Sequence, residues 1–487
     1  MASRPDLPKS MNMRLPANSP CQFWQFAPSD APALFERGAI VSRRDLLDRI
    51  DQFVLLLTRW KRKSFGFLSF VSSSDAVAAY LACLRSGRAA PLLWNPSNHP
   101  DVHQAMADHY RPDWILVDAD APLLDGYGTL ATFGGMRLDA SVDTADPEEP
   151  HPDLALLLAT SGSTGSAKLV RLSYSALAAN TGAIISYLGM SPADRTISTL
   201  PFAYSFGMSV LNTHIGCGGA IALSSYGLLT REFWSTAAEV EVTNLSGVPS
   251  SFEMLRRAGL EKRGLTKLRF LAQAGGGMRA DLTRLFEDLA RQHGWSLYVM
   301  YGQTEAGPRI SFVPPDRLAE KIGSIGIPVP GGTLDLRGEV GEIVVRSPNV
   351  MMGYAEIRVD LGRGDECNGL LRTGDLARRD EDGFFFLTGR MKRFVKLSGV
   401  RIGLDSIEQR VEERLGVRVA CTGRDDQLHL WLIESEQRLP DPDVTALLRD
   451  LFDIFPGHVR LHRVEELPIN ANGKTDYSAL SARSEEL

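Results

Sequence analysis

Residues 154–168 read LALLLATSGSTGSAK, and the change of texture at Thr160 decides the architecture. The first six residues are apolar and uncharged, the length of one buried strand. From Thr160 the chain carries only hydroxyls, glycines, one alanine and Lys168, with no bulky side chain. A helical pattern then runs from Tyr174 to about Leu188. Strand, bare-backbone turn and helix in succession predict a parallel sheet with crossover helices.

The same rhythm extends outward in both directions. Before it, SRRDLLDRIDQFVLLLTRW (Ser42–Trp60) has helical apolar spacing and FGFLSFV reads as a buried strand. SSDAVAAYLACLRSG is a helix closed by Gly87, followed by the strands RAAPLLW and DWILVD. After it, RTISTLPF, GAIALSS, VTNLSGVP and LRFLAQAGGG continue the alternation. Past Lys321 short strands and turns take over, with DEDG (Asp380–Gly383) as a hairpin turn. Beyond Arg390 a compact unit holds FVKLSGVRI, the helix GLDSIEQRVEERLG, two strands and a helix near DVTALLRDLF. The predicted fold is α/β: a large N-terminal domain of parallel-rich sheets with a β-rich subdomain, then a small mobile α+β domain. The first twenty residues, polar and proline-rich, are expected to be a tail without structure (1–20), and the polar joint GRMKR divides a core at 21–390 from the small domain at 391–487.

Length and composition narrow the function. A chain of 487 residues with net charge −6 is long enough for a large core and carries no basic stripe for a nucleic-acid partner. TRWKRK (Thr58–Lys63) reads as a solvated helix end. The five cysteines (Cys21, Cys83, Cys217, Cys367 and Cys421) include no CxxC pair, which fits neither a zinc site nor a disulfide scaffold. The N-terminus lacks the apolar segment of a secretory signal, and no run approaches the ~20 residues that span a bilayer. A soluble, cytoplasmic protein is expected.

Thr160–Gly165 and Lys168 form a candidate anion nest: backbone N–H groups and hydroxyls converge, glycine permits close approach, and lysine adds a point charge. A plain Ser/Gly surface loop is the competing reading. It is not the Walker phosphate loop, because Gly165 and Lys168 are too close and no Ser or Thr follows the lysine. In YGQTEAG (Tyr301–Gly307) Glu305 is a hard oxygen donor suited to magnesium, or else Thr304 and Glu305 merely cap a helix. RTGD (Arg372–Asp375) puts a carboxylate at a strand end, able to accept from a ribose diol or to close an Asx turn. NGKTD (Asn472–Asp476) presents Lys474 on a glycine turn, where a lone lysine is ordinarily just solvated.

In order and spacing these stretches, with LPFAYSFG, QAGGG, GEIVVRSPNVMMGY, GRMKRFVKLSGVRI and INANGKTD, resemble the adenylate-forming superfamily from about Ser42 to Leu480. That family comprises acyl- and aryl-CoA synthetases, peptide-synthetase adenylation domains and luciferases. The resemblance implies that Thr160, Ser161, Gly162, Ser163, Thr164, Gly165 and Lys168 cradle the β- and γ-phosphates of ATP. By the same similarity Gly275, Gly276, Gly277, Tyr301 and Gly302 flank adenine, Thr304 lies by the α-phosphate, and Glu305 holds Mg2+. Asp375 and Arg390 match ribose-binding positions, and Lys474 matches the lysine bridging carboxylate and α-phosphate. Lys392 matches the hinge, and Ser398 and Gly399 the thiol tunnel presented when the small domain rotates.

The implied reaction is ATP-dependent ligation: an acyl-AMP forms with loss of pyrophosphate, then a thiol of CoA or phosphopantetheine displaces AMP. The acid pocket is expected around Ala203, Tyr204, Ser205 and Phe206. Adenylation domains for α-amino acids usually carry aspartate where Ala203 stands, and no acidic residue occurs between Asp194 and Glu232, which disfavours an ammonium-bearing substrate. Tyr204, Phe206, Met208 and the GCGGA edge (Gly216–Ala220) point to an apolar or aromatic acid. SGVRI leans toward carrier-protein enzymes. The chain ends shortly beyond Lys474, so any carrier is expected in trans. The alternatives are a free-standing adenylation enzyme loading a separate carrier protein, a luciferase-like oxygenase, for which no positive signal exists, and an inactive nucleotide-binding homologue, against which Lys474, Glu305 and Asp375 speak.

Overall fold

The computed structural model describes residues 22–96, 100–143, 148–159, 168–338, 340–391, 393–397, 400–424, 426–433, 440–469 and 474–486. The N-terminal tail therefore lies outside the described residues. The strand Leu154–Ala159 sits inside an eight-stranded sheet, paired in parallel with Ala89–Trp94 and antiparallel with Leu169–Ser173. Parallel neighbours Ser64–Ser69 and Trp114–Asp118 continue that sheet, and the hairpin Tyr127–Phe133/Met136–Ser141 finishes its edge. Ser64–Ser69 and Ala89–Trp94 are buried along their whole length, as parallel strands covered on both faces must be.

The covering layer follows from sequence. Helix Ser74–Ser86 is apolar on every side and buried from Ala76 to Leu84, so it can only lie between layers. Helix Arg43–Leu57 packs on it, started by a reciprocal cap in which Ser42 accepts from the Asp45 amide and the Asp45 carboxylate accepts from the Ser42 amide. It stops at Leu57, with Thr58 as C-cap, a little short of the predicted Trp60.

A second sheet runs Asn244–Gly247, Phe270–Gln273, Ser296–Tyr301, Ser311–Val313 and Ile327–Pro328, the first three parallel. A third joins Arg195–Ile197 and Ala220–Leu223 to the hairpin Pro32–Glu36/Ala39–Ser42. RTISTLPF gives only that three-residue strand. The residues after it form helix Ser205–Cys217, which the sequence reading did not assign. The β-rich portion is the antiparallel sheet Thr333–Leu336, Val340–Arg346, Leu370–Arg379 and Phe385–Arg390, with Asp380–Gly383 turning between the last two as expected.

The C-terminal part has a hydrophobic core of its own, from Val395 and Leu397 through Ile407 and Val411 to Leu448 and Val459. FVKLSGVRI folds as the hairpin Phe394–Leu397/Val400–Gly403. Helices Leu404–Leu415, Asp441–Phe452 and Tyr477–Glu486 accompany the strands Val419–Arg424, Gln427–Ile433 and Val459–Val464. Among the described residues no helix is long and apolar enough to cross a membrane.

Candidate active site

The loop leaving strand Ser296–Tyr301 is the spine of the site. Gly302 has no alternative: a Cβ there would lie 1.6 Å from the Pro308 carbonyl oxygen, so the backbone doubles back on itself only without a side chain. That fold-back projects the short 3-10 turn Thr304–Ala306 toward helix Ser205–Cys217. The Thr304 hydroxyl lies 3.2 Å from the Ser205 hydroxyl. Glu305 accepts from the Tyr354 hydroxyl at 2.8 Å. Lys168 pairs with Glu356 and stands 5.9 Å over the Tyr354 ring, so the cation that follows the glycine-rich loop is brought to the same edge as Glu305.

Asp375 lies within the ten-residue strand Leu370–Arg379 rather than at a strand end, next to a shift of register against Phe385–Arg390. Its Oδ1 receives Arg390 Nε at 2.9 Å, while Oδ2 accepts from the Tyr301 hydroxyl and from Gln303 Nε2 at 2.8 Å. The carboxylate is thus buried inside a fixed set of donors, not held in an Asx turn. Burial and the adjacent Asp375 charge push the Tyr301 phenol far above its ordinary range, so it stays a neutral donor.

Gly275 packs against Tyr204, whose hydroxyl lies 2.7 Å from where a Cβ would sit. Gly276 backs onto Pro249 and is tied by Gln273 Nε2 to its carbonyl oxygen at 2.8 Å, and Gly277 borders open space. Ala203 is half-buried against the main core.

Lys474 comes in from the C-terminal part. Its ammonium stands 5.8 Å from the centre of the Tyr204 ring. Burial, then the like charge of Arg390, lower its pKa, while Glu305 and Asp375 oppose that shift. A solvated tail lysine would have none of these neighbours. The structure therefore brings together Lys168, Tyr204, Ser205, Thr304, Glu305, Tyr301, Asp375, Arg390 and Lys474. Thr160, Ser161, Gly162, Ser163, Thr164, Gly165, Lys392, Ser398 and Gly399 lie outside the described residues.

Two residues that suggested an apolar acid do other work: Met208 is fully buried in the main core, and Gly218 ends the helix Ser205–Cys217. Conversely, Gln303, Tyr354 and Glu356 belong to the site and were not singled out from sequence. Gln303 sits inside the quoted YGQTEAG, which was the available signal. Tyr354 likewise closes the quoted GEIVVRSPNVMMGY, while Glu356 is brought in by contacts across the fold.

The sequence profile of AMP-binding enzymes matches residues 23–355. The chain belongs to the AMP-binding enzyme family. Feruloyl-CoA synthase of an Amycolatopsis species is 30% identical over 368 residues, 70% of this chain and 72% of that protein. L-proline–[L-prolyl-carrier protein] ligase of Streptomyces coelicolor is 30% identical over 354 residues, 67% of this chain and 66% of that protein. In fold, the chain superimposes on o-succinylbenzoate coenzyme A synthetase from Bacillus subtilis in complex with ATP and magnesium ion. The TM-score is 0.73 at 21% identity, covering 92% of this chain and 95% of that one. This AMP-binding enzyme is an AMP-forming acid–thiol ligase that uses ATP, with a carboxylic acid as substrate.

Magnesium suits the residues present. Glu305 supplies a hard carboxylate oxygen beside the Tyr354 hydroxyl, and the ion ordinarily completes its shell with phosphate oxygens and water. When bound, it neutralises charge on the phosphate oxygens.

Proposed function

We propose that this AMP-binding enzyme joins a carboxylic acid to AMP where Thr304, Glu305 and Lys474 converge, then passes the acyl group to CoA. The observation that carries the reading is Lys474, held over Tyr204 in the field of Glu305 and Asp375. A carboxylate and a triphosphate repel one another, and a partly desolvated ammonium between them offsets that repulsion while aligning the attacking oxygen with the α-phosphate. Thr304 is placed to donate to an α-phosphate oxygen. Lys168 and the loop Thr160–Gly165 take the β- and γ-phosphates, Asp375 and Arg390 the ribose, and Gly275–Gly277 with Tyr301 and Gly302 the base. Because Asp375 already has three protein donors, a ribose diol shares or replaces the contribution of Gln303 or Arg390.

The acid enters beside Tyr204, with Ala203, Ser205 and Phe206 at its mouth. The division at about residue 390 lets the C-terminal unit, 391–487, withdraw Lys474 and turn Ser398 and Gly399 toward an incoming thiol, with Lys392 as the pivot. The cytoplasm, where ATP and CoA are both at hand, is the proposed location.

Loading a separate carrier protein is the second reading, favoured by the wording SGVRI and by the similarity to the prolyl-carrier ligase. Two assays separate the possibilities. Pyrophosphate exchange over a panel of fatty, aryl, amino and short polar acids tests adenylation; silence across the whole panel refutes ligase activity. Offering the active acid with CoA or with a phosphopantetheinylated carrier identifies the acceptor, and a preference for the carrier overturns the CoA assignment.

A further inference from the structure

A cavity lies between helices Tyr174–Leu188 and Ser205–Cys217 and the three parallel strands of the second sheet. One wall is apolar, made of Ile184, Leu188, Phe270 and Met300. Met190, Val210 and Ala272 add to that apolar lining, and the polar part is Ser209, Thr213, His214, Asn244, Ser246 and Arg309. Its unfilled space is on the order of a single water molecule. Among the described residues no carboxylate lines it, and Arg309 is its one cation: His214 Nδ1 donates to Val210 O (2.8 Å), its Nε2 accepts from Asn244 Nδ2 (3.1 Å), and burial pulls its pKa down, so the ring is neutral.

Arg309 is only 3% exposed, stacked 4.0 Å from the centre of the Phe206 ring, and its Nε is buried without a partner. Its polar neighbours are the phenols of Tyr187 and Tyr204. No acidic residue pairs with it among the described residues. Arg43, 7% exposed, likewise has no acidic partner among the described residues and donates to Gly219 O, but three others set into the fold, of which Arg171 and Arg358 also have an unpartnered Nε, do have one. Arg171 pairs with Glu366, Arg358 with Asp113, and Arg393 with Glu408 and Asp405. A guanidinium taken out of water without a counter-charge is unfavourable unless a ligand supplies one.

The side chains also form a chain of contacts. Lys474 lies over Tyr204, the Tyr204 and Phe206 ring centres are 6.5 Å apart, and Arg309 lies over Phe206. Resting on the ligase reading above, we propose that the acid carries a second anionic oxygen group, a carboxylate or sulfonate, at the end remote from the carboxylate that reacts. Arg309 binds that group, and the limited space keeps the acid short. The planar fork of arginine suits two oxygens at once. Ser209 and Thr213 hydroxyls are spent on Phe206 O and Val210 O, so they add little to recognition.

The test is pyrophosphate exchange with matched pairs: malonate against propanoate, succinate against butanoate, glutarate against pentanoate, and sulfoacetate to separate sulfonate from carboxylate. Wild type is expected to favour one doubly anionic member over its partner by on the order of 10²-fold in kcat/KM, because a site built for a polar group rejects the analogue lacking it. Arg309→Met is expected to remove that preference, chiefly through KM, while the monoacid of the pair reacts as well or better. ATP binding and melting temperature, measured on the same variant, are expected to hold. Equal loss on both members of a pair, or a wild type that prefers the monoacids, overturns the proposal and leaves the ligase reading standing. Silence with every acid class overturns both. If Arg309→Met does not fold, the wild-type ranking alone decides, with Arg309→Lys expected to keep the preference at reduced strength.

Discussion

Lys474 and Glu305 act on different parts of the proposed chemistry, and their variants are expected to part company. Lys474→Ala loses most acyl-AMP formation, on the order of 10²-fold or more, since it removes the charge that reconciles two anions. The same variant still converts supplied acyl-AMP to thioester, because that step has no need of the bridging amine. Assaying the half-reactions separately checks this, and equal loss in both contradicts the role given to Lys474. Glu305→Gln keeps the size of the side chain and the acceptor for Tyr354 Oη, so unfolding is expected to move by less than ~1 kcal/mol. Turnover at limiting magnesium falls far more, and raising magnesium restores part of it. Both residues were legible from sequence because each sits in a short contiguous polar stretch. Arg309 was not: nothing beside it in the chain distinguishes it, and its meaning comes from helices and strands far away in sequence. Glu356 is hidden in the same way, meeting Lys168 from 188 positions further along.

Helix Tyr174–Leu188 shows what a single element contributes. It carries Ile184 and Leu188 to the cavity and Tyr187 to Arg309, and its start is fixed by Ser173, whose hydroxyl accepts from the Ala176 amide at 3.1 Å. Ser173→Ala is expected to destabilise the protein by about 1 kcal/mol, and Ser173→Asp to recover most of it, because either oxygen satisfies the orphan donor. Denaturant unfolding measures both; a neutral Ser173→Ala removes the cap from the account. This helix was readable from Tyr174 to about Leu188, and the structure shows a capping serine opening it and Gly189 closing it. Helix Ser205–Cys217 was missed for the complementary reason: Tyr204 at its N-cap makes no side-chain bond, and its face pattern is obscured by buried residues nearly all round. Buried on most sides, it lacks the polar stripe by which an amphipathic helix announces itself.

At the scale of the whole molecule, Lys63 ties the first sheet to the segment leading into its central strand. Its ammonium donates to Pro152 O at 2.6 Å and stands 5.1 Å from the Tyr174 ring centre, and burial brings its pKa down to about 7. Between that value and the ordinary lysine range the unfolded chain holds a proton that the folded chain has released, so stability rises with pH across this window. Relative to Lys63→Met, which does not titrate, wild type is expected to gain stability from pH 7 to pH 10 and to change little below pH 6. Paired chemical-denaturation curves across that range check it, and parallel curves refute it. The broad α/β order was legible because strands buried on both faces and helix caps are local signals. The two N-terminal-half hairpins at Pro32–Ser42 and Tyr127–Ser141 were not, since the latter's outer strand is largely exposed and lacks an apolar run. The fold-back at Gly302 has one more implication. Because Pro308 closes against it, the groups proposed to meet the nucleotide and the Arg309 guanidinium ride on one short strap, so a change at either end is felt at the other. Anyone reshaping the enzyme for bulkier cargo would do better to carve the opposite bank, at Ser209 and Thr213, and leave the strap untouched.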